Sequence, residues 1–226
     1  MTHTVNIRRP VTVYDDELAQ RCARGRVIVI DDDVEILDAL RELLALEAYA
    51  CETYASAKAY LQALEANAAF FPGPCCVLCD VMMPETSGLE LQTQLALHDD
   101  TPLLLMSGAS GASEVANAFR AGAVDFLIKP MAIDVLLNAV AKALQLSTER
   151  QRQRQRRTLL AQQLATLTHR EREVARRVAQ GQTNGNTADD LGIALRTVKL
   201  HRQRALEKLG IDNVAELVRV ADECGL

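Results

Sequence analysis

Four apolar residues, Cys76-Val77-Leu78-Cys79, run straight into Asp80, and Pro84 follows four positions later. A run this short, with Gly73 and Pro74 before it, reads as a buried parallel strand. Asp80 then stands where the strand ends. In open α/β sheets the crevice beyond the carboxyl ends of the strands is where ligands bind. An aspartate there is placed for chemistry, although aspartate also ends strands as an ordinary turn residue. Three more apolar runs end alike. Val27–Ile30 meets Asp31-Asp32-Asp33, Leu103–Met106 meets Ser107-Gly108, and Asp125–Ile128 meets Lys129-Pro130.

Each of these endings has a plain reading: solvated acids, a serine that closes a strand, a lysine facing water. Gathered on one rim, they have a chemistry. Carboxylates held close repel one another and want a hard cation, and Mg²⁺ is satisfied by one or two carboxylates with waters and a phosphate. An aspartate carboxylate can attack phosphorus and become an aspartyl phosphate. A metal ion and a lysine ammonium then neutralise the added charge, and a hydroxyl across the rim can bond the phosphoryl oxygens.

The elements that must position these groups are legible between the runs. Ile36, Leu37, Leu40, Leu43 and Leu44 recur at helical spacing after the acidic turn. A strand near Ala50–Tyr54 and a helix near Ser56–Ala66 follow. Gly88 opens another helix. Ser113–Ala121 is a helix closed by Gly122, and a helix from about Ile133 to Leu146 ends the unit. Five strands alternating with five helices predict a doubly wound, five-stranded parallel sheet. Right-handed crossovers put all the strand ends on one rim, so Asp31, Asp32, Asp80, Ser107 and Lys129 should converge.

From about residue 26 to 146 the chain resembles the receiver domain of bacterial two-component response regulators, a flavodoxin-like fold. The resemblance rests on Ile30-Asp31-Asp32-Asp33, Asp80-Val81-Met82-Met83-Pro84, Gly88, Ser107-Gly108 and Phe126-Leu127-Ile128-Lys129-Pro130. It implies that Asp80 accepts a phosphoryl group from a histidine kinase. It implies that Asp32, Asp80 and the Met82 backbone carbonyl bind Mg²⁺, with Asp31 acting through water. Lys129 would pair with the phosphate, Ser107 would swing toward it, and Phe126 would turn inward as Ser107 moves. Phe126 is otherwise readable as an ordinary core aromatic. Serine stands at position 107 where the family commonly has threonine, so the hydroxyl is kept and a methyl lost.

Residues 147–158 contain no apolar side chain. They read as a domain boundary and as a solvated helical extension, since Glu, Gln and Arg favour helix; their arginines could also touch DNA phosphates. Beyond them Thr168-His169-Arg170-Glu171 spells a capping box. A helix follows to near Gly181, then a short one from Asn186 to Leu191, a turn at Gly192-Ile193, and a longer basic helix from Leu195 to Leu209. Asn213 caps a last helix with Leu217, Val218 and Ala221. Two helices joined by a glycine turn, the second of them basic, describe a helix-turn-helix. The exposed face of the second carries Arg196, Lys199, Arg202 and Gln203, with His201 as a further candidate. Such residues can reach base edges in a major groove, and a charged solvated helix would look the same by charge alone.

From about Leu164 to Ala221 the chain is similar to LuxR-type DNA-binding domains. The matching residues include Leu167–Val174, Gly181, Asn184, Ala188, Leu191-Gly192-Ile193, Arg196–His201, Lys208-Leu209-Gly210 and Ala215-Glu216-Leu217. The resemblance implies that Lys199, Leu200 and Gln203 face bases, that Thr197, Arg202 and Arg204 hold the DNA backbone, and that the last helix forms a dimer contact on DNA. Two departures weaken the pattern. Gly185-Asn186-Thr187 occupies the first turn of the short helix, and Ala194 stands where a serine usually caps the basic one. The expected organisation is a 1–24 extension, a receiver over 25–146, a linker over 147–162 and a DNA-binding domain over 163–226.

Composition agrees with two partners of opposite kind. Residues 25–146 hold 17 acids and 6 bases, whereas 147–226 hold 10 acids and 15 bases, which points the second half toward nucleic acid. At 226 residues and 49% apolar content there is material for two cores. No run approaches the ~18 apolar residues of a membrane span, and the start lacks a secretory pattern, so a cytoplasmic protein is expected. Six irregularly spaced cysteines read as reduced thiols. Cys76 and Cys79 should point to opposite faces of their strand.

The expectation is a transcription regulator, not an independent enzyme. It would take phosphate from a kinase, bind operator DNA as a homodimer when phosphorylated or on DNA, and meet RNA polymerase there. A protein-binding adaptor and a cysteine redox sensor are the rival readings.

Overall fold

The computed structural model describes residues 25–66, 73–84, 86–98, 101–108 and 111–226. The helical turns expected near Glu17–Arg24 lie outside that set. The chain divides into two compact units, Met1–Gln151 and Arg152–Leu226.

The first unit alternates β1 (Arg26–Ile30), α1 (Val34–Leu46), β2 (Ala50–Tyr54), α2 (Ala57–Glu65), β3 (Cys75–Asp80), α3 (Gly88–His98), β4 (Leu103–Ser107), α4 (Ala112–Arg120) and β5 (Asp125–Ile128), and enters α5 (Ile133–Ala165). All neighbouring strands are parallel, in the order β2-β1-β3-β4-β5. Side chains alternate across the sheet because a strand has a period of two. Val27, Val29, Cys76, Leu78, Leu104 and Met106 face α1 and α5. Ile28, Ile30, Val77, Cys79, Leu103 and Leu105 face α2, α3 and α4. Cys76 and Cys79 therefore lie in different cores. Both faces are covered, which is why these strands are nearly unbroken apolar runs.

Start signals are written locally. Asp33 accepts from the Glu35 and Ile36 amides to cap α1, and Ser56 accepts from the Ala59 amide to cap α2. Gly25, at φ 114°, fits where a Cβ would lie 2.9 Å from Leu144 Cδ2 and from the Pro74 carbonyl. The sheet thus starts in contact with α5.

Helix α5 continues past Leu146, as the helical extension expected over 147–158 has it. It runs on through the Arg/Gln stretch to Ala165. Helix propensity carries it there, and Leu160 and Leu164 anchor its end in the core of the second unit. That core also takes Val174, Ala175 and Val178 of α6 (His169–Ala179), Ala188 of α7 (Asn184–Leu191), and Val198, Ala205 and Leu209 of α8 (Leu195–Leu209). Helix α9 (Val214–Cys224) contributes Leu217 and Val220, whereas Val218 is 36% exposed. Asn213 caps α9 through the Glu216 amide.

Helix α7 begins two residues before the expected start. Thr183 caps it by accepting from the Asn186 amide, which offsets the weak Gly185-Asn186 turn. Ala194 gives α8 no side-chain cap.

The capping box of α6 has both halves, and it is tied to α8. Glu171 N–H donates to Thr168 Oγ1 and Thr168 N–H donates to Glu171 Oε2. Lys208 Nζ donates to the same Oε2 at 2.6 Å and to the Thr166 carbonyl at 3.1 Å. Lys208, then the Thr168 amide, pull the Glu171 carboxyl from 4.5 to about 2. A depressed carboxylate stabilises the fold above its unfolded pKa and loses that contribution as pH falls through the folded one. Glu171→Gln should therefore destabilise the second unit by ~1–3 kcal/mol near neutrality, a difference that shrinks between pH 4.5 and 2. Denaturant unfolding across that range checks it, and a gap that stays constant down to pH 2 would contradict it.

Candidate functional site

The carboxyl rim of the sheet is built by the strand ends. Asp80 is the last residue of β3, Asp31 follows β1, Ser107 ends β4 and Lys129 follows β5. Ladder hydrogen bonds continue one step past the strands and hold these positions level. The Asp31 amide donates to the Tyr54 carbonyl, the Val81 amide to the Met106 carbonyl, and the Lys129 amide to the Ser107 carbonyl at 2.8 Å.

Lys129 reaches across to both acids. Its Nζ donates to Asp31 Oδ2 at 2.6 Å and to Asp80 Oδ1 at 2.6 Å. The second oxygen of each acid takes a backbone amide from its own turn: Asp33 N–H to Asp31 Oδ1 at 3.0 Å, and Met82 N–H to Asp80 Oδ2 at 2.6 Å. Asp31 is 1% and Asp80 5% exposed. Burial pulls the Lys129 ammonium toward neutrality, but its hydrogen bonds and attraction to Asp31 and Asp80 outweigh that, so its pKa rises above 10.5. Lys129 therefore stays charged at neutral pH.

One ammonium between two buried carboxylates leaves the cluster short of positive charge. Among the described residues, the acids and carbonyls at this rim offer oxygen ligands. Asp32, next in the chain, is exposed, as is the Met82 side chain. Among the described residues no group of three or more His, Cys, Asp or Glu forms a ready metal cage. Mg²⁺ does not require one, because it keeps several waters and uses one or two carboxylates. An oxygen-only rim with a negative excess fits that ion. The expectation made Asp32 a direct ligand and had Asp31 act through water; in this structure Asp31 also shares Lys129 with Asp80.

Ser107 is fully buried, one strand from Asp80. Phe126, paired with Leu105 across β4 and β5, is half-buried against the core of the α2–α4 face. Gly88, a helix opener and part of the receiver resemblance, also sets a close packing contact. Its amide donates to the Val81 carbonyl, and a Cβ there would come within 2.5 Å of the Asp80 carbonyl. The chain needs glycine at that spot to bring α3 against the end of β3. A glycine eight residues after the aspartate was visible in the sequence, but the close approach was not.

The thiols of the sheet, of which Cys79 lies nearest the rim, are poor reactants. Burial pushes Cys76 well above its usual range and Cys79 upward, with Asp80 adding to the latter; Cys51 rises to about 11. Such groups stay protonated and resist oxidation.

On α8 of the second unit, Arg196, Lys199, Leu200, Gln203 and Arg204 are exposed. Thr197, His201 and Arg202 are half-buried. Arg202 donates to Asn184 Oδ1 at 3.4 Å, linking α8 to the start of α7, and His201 Nδ1 is buried without a hydrogen-bond partner. So five of the eight expected DNA-facing residues share the open face, and three lie on its flanks. Two residues of α8 escaped the sequence reading. Leu195 is 47% exposed beside the basic residues, and Glu207 accepts from Gln203 Nε2 at 2.8 Å. The second was discoverable, because glutamine and glutamate four apart on a helix are neighbours.

Comparison with known proteins agrees with the division into units. The family described as the response regulator receiver domain matches residues 27–141, and the bacterial regulatory proteins, luxR family, match 165–221. The response regulator protein TodT of Pseudomonas putida is 34% identical over 197 residues, covering 87% of this chain and 85% of its own. The transcriptional regulatory protein FixJ of Azorhizobium caulinodans is 35% identical over 196 residues, covering 86% and 90%. Among solved structures, the response regulator StyR aligns with a TM-score of 0.73 at 34% identity, covering 88% of this chain and 98% of its own.

Gly88→Ala tests how tightly the rim is set. The added methyl must push the Asp80 carbonyl or α3, at an overpacking cost of ~1–3 kcal/mol. Phosphate uptake from a small acyl phosphate, followed by intact mass against time, should slow by roughly tenfold or more. Unchanged stability and unchanged uptake together would show that the close approach at Gly88 sets nothing.

Proposed function

The chain belongs to the two-component response regulators that join a receiver domain to a LuxR-family DNA-binding domain, and on that premise we propose that Asp80 is its phospho-acceptor. The observation that carries this reading is the single ammonium of Lys129 lying 2.6 Å from both Asp31 and Asp80. It holds Asp80 in place, with one oxygen on Lys129 and the other on the Met82 amide.

A carboxylate oxygen of Asp80 attacks the phosphorus of a kinase phosphohistidine. An O–P bond forms as the N–P bond breaks, and the electron pair leaves with the imidazole. Asp32, Asp80 and the Met82 carbonyl would hold Mg²⁺, with Asp31 close by. That ion supplies positive charge to offset the phosphoryl oxygens.

Lys129 is already charged and already at the rim, so it can exchange a carboxylate oxygen for a phosphoryl oxygen. Ser107 closes the neighbouring strand and offers its hydroxyl to the new group. Phe126, two strands from Asp80 and only half-buried, has room to move inward when Ser107 does.

The output is DNA. Lys199, Leu200 and Gln203 read bases, and Arg196, Thr197, Arg202 and Arg204 hold phosphates, with His201 at the flank. Two copies bind a two-fold operator, α9 forming their contact there, and RNA polymerase is met at the promoter. The protein acts in the cytoplasm, where its kinase and operator are both within reach. Apart from gaining and losing its own phosphate it performs no catalysis. Neutral, buried thiols at Cys76 and Cys79 lend nothing to a redox sensor.

A fluorescence-anisotropy titration of selected duplex DNA with the full chain tests both halves. An acyl phosphate with Mg²⁺ should tighten binding by roughly 5- to 150-fold, and Asp80→Asn should remove that response. Affinity should fall steeply as salt rises, because binding releases counterions. A chain that binds no DNA at low salt would be an adaptor, and an Asp80→Asn variant that responds fully would locate the input elsewhere.

A further inference from the structure

On α8, Gln203 and Glu207 are both exposed, one turn apart, and form one hydrogen-bonded unit. A carboxylate only accepts hydrogen bonds, so the pairing fixes which end of the Gln203 amide it meets: the NH₂ end, at 2.8 Å. The carbonyl end and the remaining N–H are left for a ligand. Both residues border an open groove along α8 that Lys199 and Arg202 also line.

We propose that Glu207 is a specificity-determining residue: it orients Gln203 and sets the base that Gln203 accepts. This rests on the reading above in which Gln203 faces the major groove. An oriented amide that presents a carbonyl beside one N–H matches adenine, which offers an amino donor at N6 and an acceptor at N7. Guanine offers two acceptors, O6 and N7. It would meet the Gln203 carbonyl as acceptor against acceptor, and it would bring O6 toward the negative charge of Glu207. Cytosine, with an amino donor at N4, sits between the two, because a carboxylate accepts from it.

In water an exposed pair of this kind is weak. Docking into the groove removes water, and the lower dielectric strengthens the pair and raises the penalty for a mismatched edge. Glu207 thus acts as a filter on sequence while adding no attraction to the phosphates. The charge pattern of the face supports that division. Arg196 and Arg204 are exposed cations suited to the backbone, and Glu207 is an exposed acid on the same helix.

The test is selection from a random duplex pool with the full chain, phosphodonor and Mg²⁺, repeated with Gln203→Ala, Glu207→Ala and Glu207→Gln. Gln203→Ala identifies the operator position that Gln203 reads. At that position the native chain should favour adenine, and Glu207→Ala should cut discrimination against guanine by about tenfold, the lower part of the range for one bidentate contact. Other positions should be unchanged, and affinity for non-specific DNA should be equal or higher. Glu207→Gln keeps an acceptor for Gln203 without the charge and should retain part of the preference. A uniform loss of affinity in Glu207→Ala, with base preference intact, would overturn the proposal and leave Glu207 a merely structural residue. A native preference for guanine at that position would overturn it equally. If Gln203→Ala alters no position, the placement of Gln203 against bases fails and the proposal with it. If the native chain selects no sequence at all, it is the DNA-regulator reading that fails.

Discussion

Lys129 between Asp31 and Asp80 is the constraint on which the first unit turns. Two carboxylates with almost no exposure to water repel each other, and each loses hydration. A single ammonium 2.6 Å from both is what makes the arrangement tolerable, and the backbone amides of Asp33 and Met82 satisfy the remaining oxygens. The cluster still holds one negative charge more than positive. That imbalance makes the rim receptive to a hard cation, and the contacts to Lys129 and the Met82 amide hold Asp80 in a fixed orientation. The parallel sheet supplies the geometry, because its crossovers bring β1, β3 and β5 to the same edge.

The second unit solves a different problem with a similar device. Glu171 and Lys208 bind the start of α6 to the end of α8, and the capping box fixes the Glu171 carboxylate so that Lys208 finds it. Helix α8 is thereby secured at its C-terminal end by a charged contact and along its length by Val198, Ala205 and Leu209. Its N-terminal end has no side-chain cap at Ala194. The open face carries Arg196, Lys199 and Arg204 and is free of core duties, as a nucleic-acid reader requires.

Much of this was legible in the chain. Apolar runs of four or five residues ending in Asp, Ser or Lys announced the sheet and its rim, because a strand buried on both faces leaves little room for other patterns. The capping box at Thr168-His169-Arg170-Glu171 was readable because both partners lie within one turn. Three features were not legible, and each depends on contacts distant in sequence or on a weak local signal. The far end of α5 was one: Glu, Gln and Arg predicted a helical extension past Leu146, but Leu160 and Leu164 in another core decide how far it runs. The earlier start of α7 depends on Thr183, overlooked because Gly185 and Asn186 argued against helix. That Asp31, and not Asp32, shares Lys129 with Asp80 could not be told from three aspartates in a row, since only the turn geometry decides which one points inward.

The account depends most directly on Asp80 being the acid that takes the phosphoryl group. Intact-mass analysis of the full chain after incubation with an acyl phosphate and Mg²⁺ measures that. The native chain should gain the mass of one phosphoryl group, lost again on standing in base, and Asp80→Asn should gain none. An Asp80→Asn chain that acquires the same mass at the same rate would contradict the central claim, because the rim around Lys129 would then not be where phosphate arrives.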